Sequence, residues 1–222
     1  MTDRVPQPHR GGIPDDCIVF IVDDDPIVRG AISALLLSVG RQVQVFESAT
    51  ELLRTSLPAV PSCLVLDVRL PGLSGLDLHA ELTGAGLSIP VIFITAYGDV
   101  PMSVRAMKAG AIDFLTKPFR DQDLLDAVTR AIERDRKRRN DEEDLLDLRV
   151  SFKSLTQREK QIMALVAEGL LNKQIAARAG IAEVTTKIHR ARVMKKMGAK
   201  SLADLVVMAE ALGVRGKLPQ ET

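Results

Sequence analysis

The sequence predicts an α/β domain built on a doubly wound, five-stranded parallel sheet, followed by a smaller all-α domain of four helices. Two observations lead there. Over residues 17–130, short apolar runs alternate with stretches of helical spacing, the order that builds a parallel sheet covered on both faces. After residue 150 the strand-like runs stop, and helical stretches divided by glycines carry an excess of positive charge.

The strands are expected over residues 18–22, 43–46, 63–66, 91–94 and 113–115. The first, third and fourth are nearly continuous in apolar residues, as central strands buried on both faces are. Between the first two, residues 26–38 place Val28, Ile32, Leu35 and Leu36 near helical spacing, and Gly40 is suited to end that helix. Ser48 with Glu51 resembles a capping box for a short helix over 49–55. Residues 75–82 and 100–108 supply two more helices, the second closed by Gly110. A fifth over 121–134 carries Leu124, Leu125, Val128, Ala131 and Ile132 as its apolar stripe. No Gly-x-Gly-x-x-Gly follows the first strand and no Walker lysine appears. Dinucleotide phosphates are thereby disfavoured, and a flavodoxin-like sheet is the expected form.

Polar residues gather at the strand ends, where an open parallel sheet presents its ligand side. Asp23 and Asp24 follow the first strand, Asp67 the third, Thr95 the fourth, and Lys117-Pro118 the fifth. Three carboxylates brought together repel one another unless a hard cation joins them, and Mg²⁺ takes oxygen ligands of this kind. Asp67, at the central strand, is the best nucleophile for accepting a phosphoryl group. Lys117 is placed to neutralise phosphoryl oxygens and Thr95 to donate a hydrogen bond to one. Pro118 is a candidate for a cis peptide, with an ordinary trans turn as the alternative.

With these residues in view, the segment 17–130 resembles the receiver domain of bacterial two-component response regulators. The stretch Gly98-Asp99-Val100-Pro101-Met102 with Met107-Lys108-Ala109-Gly110-Ala111 closely resembles the FixJ-type subgroup. The resemblance implies a sensor histidine kinase as phosphoryl donor, Mg²⁺ as cofactor, and Asp67 as acceptor. It implies metal contacts from Asp24, Asp67 and the Arg69 carbonyl, with Asp23 held through water. Phe114 falls at the aromatic switch position, moving as Thr95 is drawn to the phosphoryl group. Arg69 and Tyr97 occupy positions that tune the lifetime of the acyl phosphate, and their bulk points to a persistent phosphorylated state. The apolar segment 101–108 is expected to serve a homodimer formed on phosphorylation.

Residues 133–144 alternate and then block their charges without glycine or proline, the pattern of a solvated helix. A continuous helix over 121–147 is expected to join the domains, with a partly flexible linker as the rival reading. In the second domain, Thr156 and Glu159 form a capping box, Gly169 ends that helix, and helices follow over 172–179, 183–197 and 201–212. Two helices divided by a glycine turn, the second longer and cationic, describe a helix-turn-helix unit. On 183–197, Ile188, Ala191, Met194 and Val184 are expected to pack inward. Thr185, Thr186, Lys187, His189, Arg190 and Lys196 are the candidate contacts to double-stranded DNA.

This second segment resembles the LuxR-type, or NarL/FixJ, DNA-binding domain. The resemblance is carried by Leu155-Thr156-x-Arg158-Glu159, Asn172-Lys173-x-Ile175-Ala176, Glu183-Val184-Thr185-x-Lys187-x-His189 and Met194-x-Lys196-Met197. It implies promoter DNA and RNA polymerase as partners and a contribution of the last helix to dimerisation.

Charge agrees with this division. Residues 151–222 hold 13 Lys+Arg against 6 Asp+Glu, a balance of +7, and residues 1–150 hold 17 against 23, a balance of −6. A basic end on an acidic body suits a chain of which only the end meets a polyanion. Cys17 and Cys63 are expected to be buried, reduced thiols. No apolar run reaches membrane-spanning length, and a cytoplasmic protein is expected. The domains are read as 1–16 disordered tail, 17–132 receiver, 133–150 helical linker, 151–213 DNA-binding domain and 214–222 tail. The function read from all this is a phosphorylation-activated, non-enzymatic transcriptional regulator, an activator. A phosphorylation-independent DNA-binding protein with the receiver as dimer scaffold, and an aspartyl-phosphate phosphohydrolase, remain as rivals.

Overall fold

A computed structural model describes residues 17–214. The tail expected over 1–16 lies outside the described residues, as do all but Val214 of the tail expected over 214–222. The chain divides into two compact units between Arg139 and Asn140.

In the first unit, β1 (Ile18–Val22), β2 (Gln42–Phe46), β3 (Ser62–Asp67), β4 (Val91–Thr95) and β5 (Asp113–Thr116) form one sheet in the order β2-β1-β3-β4-β5, with every pair parallel. Side chains alternate across it. Phe20, Val22, Leu64, Leu66 and Phe93 pack on one face. That face is covered by α2 (Ala49–Arg54), α3 (Gly75–Gly84) and α4 (Val100–Lys108), which bring Leu52, Leu78, Leu82 and Ala106. Val19, Ile21, Val65, Ile92 and Ile94 face the other side. There α1 (Pro26–Ser38) and α5 (Asp121–Lys153) bring Ile32, Leu36, Leu124, Val128 and Ile132. Cys17 and Cys63 are free and buried, and burial pushes the Cys63 thiol upward, which keeps it unreactive.

Several boundaries differ from expectation for local reasons. Asp67 and Thr95 are the last residues of their strands, since the ladder continues through Asp67 opposite Ile94 and Thr95 opposite Thr116. At α2 the Ser48 hydroxyl accepts the Glu51 N–H, but the Glu51 carboxylate reaches back to Glu47 N–H rather than to Ser48, so the box closes one residue early. The helix expected to end at 147 runs to Lys153. Leu148 and Phe152, on that added length, pack with the apolar cluster of the second unit.

That second unit contains α6 (Gln157–Ala167), α7 (Asn172–Ala179), α8 (Glu183–Met197) and α9 (Leu202–Ala211). Ile162, Leu165, Val166, Ile175, Val193, Met197 and Leu205 fill its core. The capping box of Thr156 and Glu159 is complete at the start of α6. Gly180 ends α7 with φ of +65°, a left-handed conformation that costs glycine nothing sterically, and α8 begins three residues later. Among the described residues no helix is long and apolar enough to cross a membrane.

Candidate functional site

The register of the sheet brings the chemistry together. Val22 lies opposite Leu66, Asp67 opposite Ile94, and Thr95 opposite Thr116, so Asp23, Asp67, Thr95 and Lys117 leave neighbouring strands at one level. Carboxylate oxygens of Asp23, Asp24 and Asp67 lie within 4.8 Å of one another. Asp23 and Asp67 are buried and Asp24 is exposed. Lys117 Nζ bridges the buried pair, at 2.6 Å from Asp23 Oδ2 and 2.7 Å from Asp67 Oδ2. The Lys117–Pro118 peptide is cis.

Backbone donors orient both buried acids. Asp23 Oδ1 accepts the Asp25 N–H at 2.9 Å, and Asp67 Oδ1 accepts the Arg69 N–H at 2.8 Å. Burial raises the Asp23 pKa, against the lowering effect of Lys117 and the Asp25 amide. Burial opposes the charge on Lys117 too, but its bonds to Asp23 and Asp67 prevail and raise its pKa. One ammonium between three acids leaves net negative charge. An all-oxygen donor set of that charge fits a hard divalent cation.

The loop after β3 packs against the acid's own backbone. A Cβ on Gly75 would stand 2.2 Å from the Asp67 carbonyl oxygen, so only glycine allows α3 to start there. Thr95 is buried, and its hydroxyl accepts the Tyr97 N–H at 3.3 Å. Phe114 is half-buried. Gly98 fills the gap beside them, and a Cβ there would meet Thr116 Cγ2 at 2.7 Å and Phe114 Cε1 at 2.9 Å. The Arg69 guanidinium lies over the Tyr97 ring, 4.8 Å from its centroid. Arg29 escaped the sequence reading. Its Nη1 donates to the Asp23 carbonyl at 2.5 Å, one turn into α1, and the only signal for it was a cation close in sequence to the acidic pair.

In the helix-turn-helix unit the expected contact face needs correction. Thr186 is 0% exposed and its hydroxyl donates to the Ala182 carbonyl at 3.3 Å. It therefore packs in the domain and does not face a groove. Lys196 holds the buried Glu159 at 2.7 Å and the Ser154 carbonyl at 3.3 Å, so its ammonium braces α8 against α6. Arg190 Nη1 donates to Asn172 Oδ1 at 3.0 Å, tying α8 to α7. Thr185 and His189 are half-buried, and His189 Nδ1 has no hydrogen-bond partner.

Lys187 is exposed as expected, and Arg192 and Lys195 are exposed with it. Val184 and Ile188, expected to pack, are 68% and 47% exposed, and Ala191 is exposed as well. The inward face runs instead through Thr186, Val193 and Met197, with Met194 packed against it. The outward face presents Val184, Lys187, Ile188, Ala191 and Lys195, spaced as one helical stripe.

Comparison with known proteins gives two family matches. A response regulator receiver domain model matches residues 19–129, and a model of bacterial regulatory proteins of the luxR family matches residues 153–209. The chain is 53% identical over 225 residues to nodulation protein W of Bradyrhizobium diazoefficiens, covering all of this chain and 99% of that one. It is 42% identical to the transcriptional regulatory protein FixJ of Rhizobium meliloti over 198 residues, covering 89% of this chain and 97% of that one. Among solved structures, the response regulator StyR is similar at 49% identity and a TM-score of 0.77, over 88% of this chain and 98% of that one.

Proposed function

Because this chain belongs to the two-component response regulators, with a receiver joined to a LuxR-type DNA-binding domain as in the FixJ-like subgroup, we propose that Asp67 is the residue its sensor kinase phosphorylates. The observation that carries this reading is the bridge of Lys117 between Asp23 and Asp67, with Asp24 alongside. A carboxylate oxygen of Asp67 attacks the phosphorus of a phosphohistidine. The new O–P bond forms as the N–P bond breaks, and the imidazole leaves with the electron pair and takes a proton. Lys117 neutralises charge on the transferred oxygens, and Thr95 turns its hydroxyl from acceptor to donor toward one of them. Asp24, Asp67 and the Arg69 carbonyl, with Asp23 behind them, would hold Mg²⁺, which supplies further charge neutralisation for the phosphoryl group.

Supporting surfaces lie nearby. A cleft of about 260 Å³ lined by Ile27, Val28, Leu35, Lys117 and Phe119 adjoins the pocket, and Ile27 is 81% exposed. It suits an apolar helix face of the donor kinase. Phe114 and Gly98 connect Thr95 to β5, and exposed Val100, Val104 and Met107 on α4 suit a homodimer. Arg69, two residues after Asp67 and stacked on Tyr97, supplies bulk that slows water attack on the acyl phosphate. Residues 17–132 act as receiver, 133–150 as linker and 151–213 as DNA-binding domain. Lys187, Arg192 and Lys195 meet phosphates and Val184 and Ile188 meet thymine methyls in the major groove. Dimerisation then raises promoter affinity, and the bound dimer activates transcription through RNA polymerase.

The test treats wild type and Asp67→Asn with Mg²⁺ and acetyl phosphate, reading intact mass and sedimentation. One phosphoryl mass and conversion to dimer in the wild type alone are expected. A folded wild type that gains no mass and keeps its oligomeric state would instead favour constitutive DNA binding.

A further inference from the structure

Asp135 lies outside the acidic pocket and has no part in the chemistry above. It stands three residues beyond Ile132 and continues the buried stripe of α5, formed by Leu124, Ala127, Val128, Ala131 and Ile132. An aliphatic side chain is the ordinary occupant of such a position. The Asp135 side chain is 0% exposed, and both of its oxygens are engaged. Oδ2 accepts the Ser62 backbone N–H at 2.9 Å and Arg139 Nε at 2.7 Å. Oδ1 accepts Arg138 Nε at 3.1 Å and Nη2 at 2.7 Å.

Ser62 is itself buried and is the first residue of β3, the strand that ends in Asp67. The carboxylate thus joins the base of the acceptor strand to the helix that leaves the receiver. The two arginines, one turn further along α5, close over it and set two positive charges against its one negative charge. Apolar packing alone leaves room for small shears of one helix over another. A buried carboxylate bonded by two elements holds one rotation and one height, since any other leaves buried polar groups unpaired.

We propose that Asp135 is a joint that fixes the rotation and register of α5 on β3, so that the helix beyond it responds to phosphorylation as one body with the acceptor strand. From Arg136 to Lys153 the helix continues for roughly 27 Å at about 1.5 Å per residue. The joint thereby sets the rotation at which the helix leaves the first unit. The consequence for signalling rests on the assignment of Asp67 as acceptor, whereas the joint itself does not.

Hydrogen exchange on the full chain, with and without Mg²⁺ and acetyl phosphate, compares wild type with Asp135→Asn, Asp135→Leu and the double variant Arg138→Gln/Arg139→Gln. The joint predicts exchange over residues 133–140 at least about tenfold faster in all three, with amides of β1 and β4 unchanged. It also predicts normal phosphoryl uptake in the variants and loss of any phosphorylation-dependent exchange change over 140–150. Wild-type exchange over 133–140 in Asp135→Leu and in the arginine pair would overturn it, leaving apolar packing as what holds the helix. If the Asp135 variants do not fold, the arginine pair, whose side chains are 30% exposed, decides alone. Failure of the wild type to take up phosphate would bring down the acceptor assignment, yet leave the exchange comparison of the untreated proteins standing.

Discussion

Thr186 and Lys187 are adjacent in α8, yet the helix turns the first into the domain's own core and the second into solvent. Their substitutions should therefore part company. With Lys187 proposed to meet a phosphate, Lys187→Ala should weaken binding to nonspecific duplex DNA and lower the slope of log affinity against log salt by about 0.9. Thr186→Val keeps the buried shape and loses only the bond to the Ala182 carbonyl, so affinity and salt slope should match wild type. A salt titration of both variants checks this, and a DNA defect in Thr186→Val with normal stability would return that residue to the contact face. The receiver acids were legible because each follows an apolar run that could only be a strand. The face of α8 was not. Threonine's methyl serves a core as well as valine does, while the exposed Val184 and Ile188 mimic an inward stripe.

At the scale of elements, local signals did well wherever the interaction was itself local. The capping box of Thr156 and Glu159 falls where the sequence puts it, but its tie to Lys196, 37 residues away, has no local signature. That tie makes the contact between α6 and α8 sensitive to acid. The Lys196 ammonium first, then the Thr156 amide and hydroxyl, hold Glu159 below the ordinary glutamate value of 4.5, against the opposing effect of burial. The unfolded chain therefore takes up the proton more readily. The stabilisation is fully present above pH 4.5 and drains away as pH falls through the depressed folded value. Glu159→Gln should cost about 1–2 kcal/mol near neutral pH, from the weakened cap and lost charge-assisted bond. Its stability should also fall less steeply than wild type below pH 4.5, as urea melts at pH 3.5–7 followed by circular dichroism would show (about 1–3 kcal/mol per molar urea for small domains). Parallel pH profiles for the two proteins would remove Glu159 from the acid response. The length of α5 was similarly out of reach of local reading. Its charged middle predicts a helix, but its end at Lys153 reflects Leu148 and Phe152 finding apolar partners distant in sequence.

For the whole molecule, the apolar clusters on the two faces of the sheet share no member with that of the helical unit, which implies two cooperative units, one with the acidic pocket and one without. A ligand that binds only the folded form of one unit stabilises that unit alone, unless the two unfold together. Mg²⁺ at one hundred times its dissociation constant should add about 2.7 kcal/mol to the receiver. For a domain of this size that is a rise of roughly 10 °C in its midpoint. Scanning calorimetry of the full chain should show this shift in one transition, while the transition of the helical unit keeps its temperature. Chelation should reverse the shift, and Asp24→Asn should reduce it, because Asp24 is the exposed carboxylate of the cluster. The negative balance of residues 1–150 gives a control. Added monovalent salt screens diffuse attraction over about 10 Å at 0.1 M but leaves direct coordination largely in place. A shift that vanishes in salt and survives in Asp24→Asn would mean that Mg²⁺ merely relieves acidic repulsion. A shift that resists salt and needs Asp24 would mean that the three acids coordinate the ion. If both transitions rise together, the two units unfold as one, and the long helix that they share is the first place to look for the coupling.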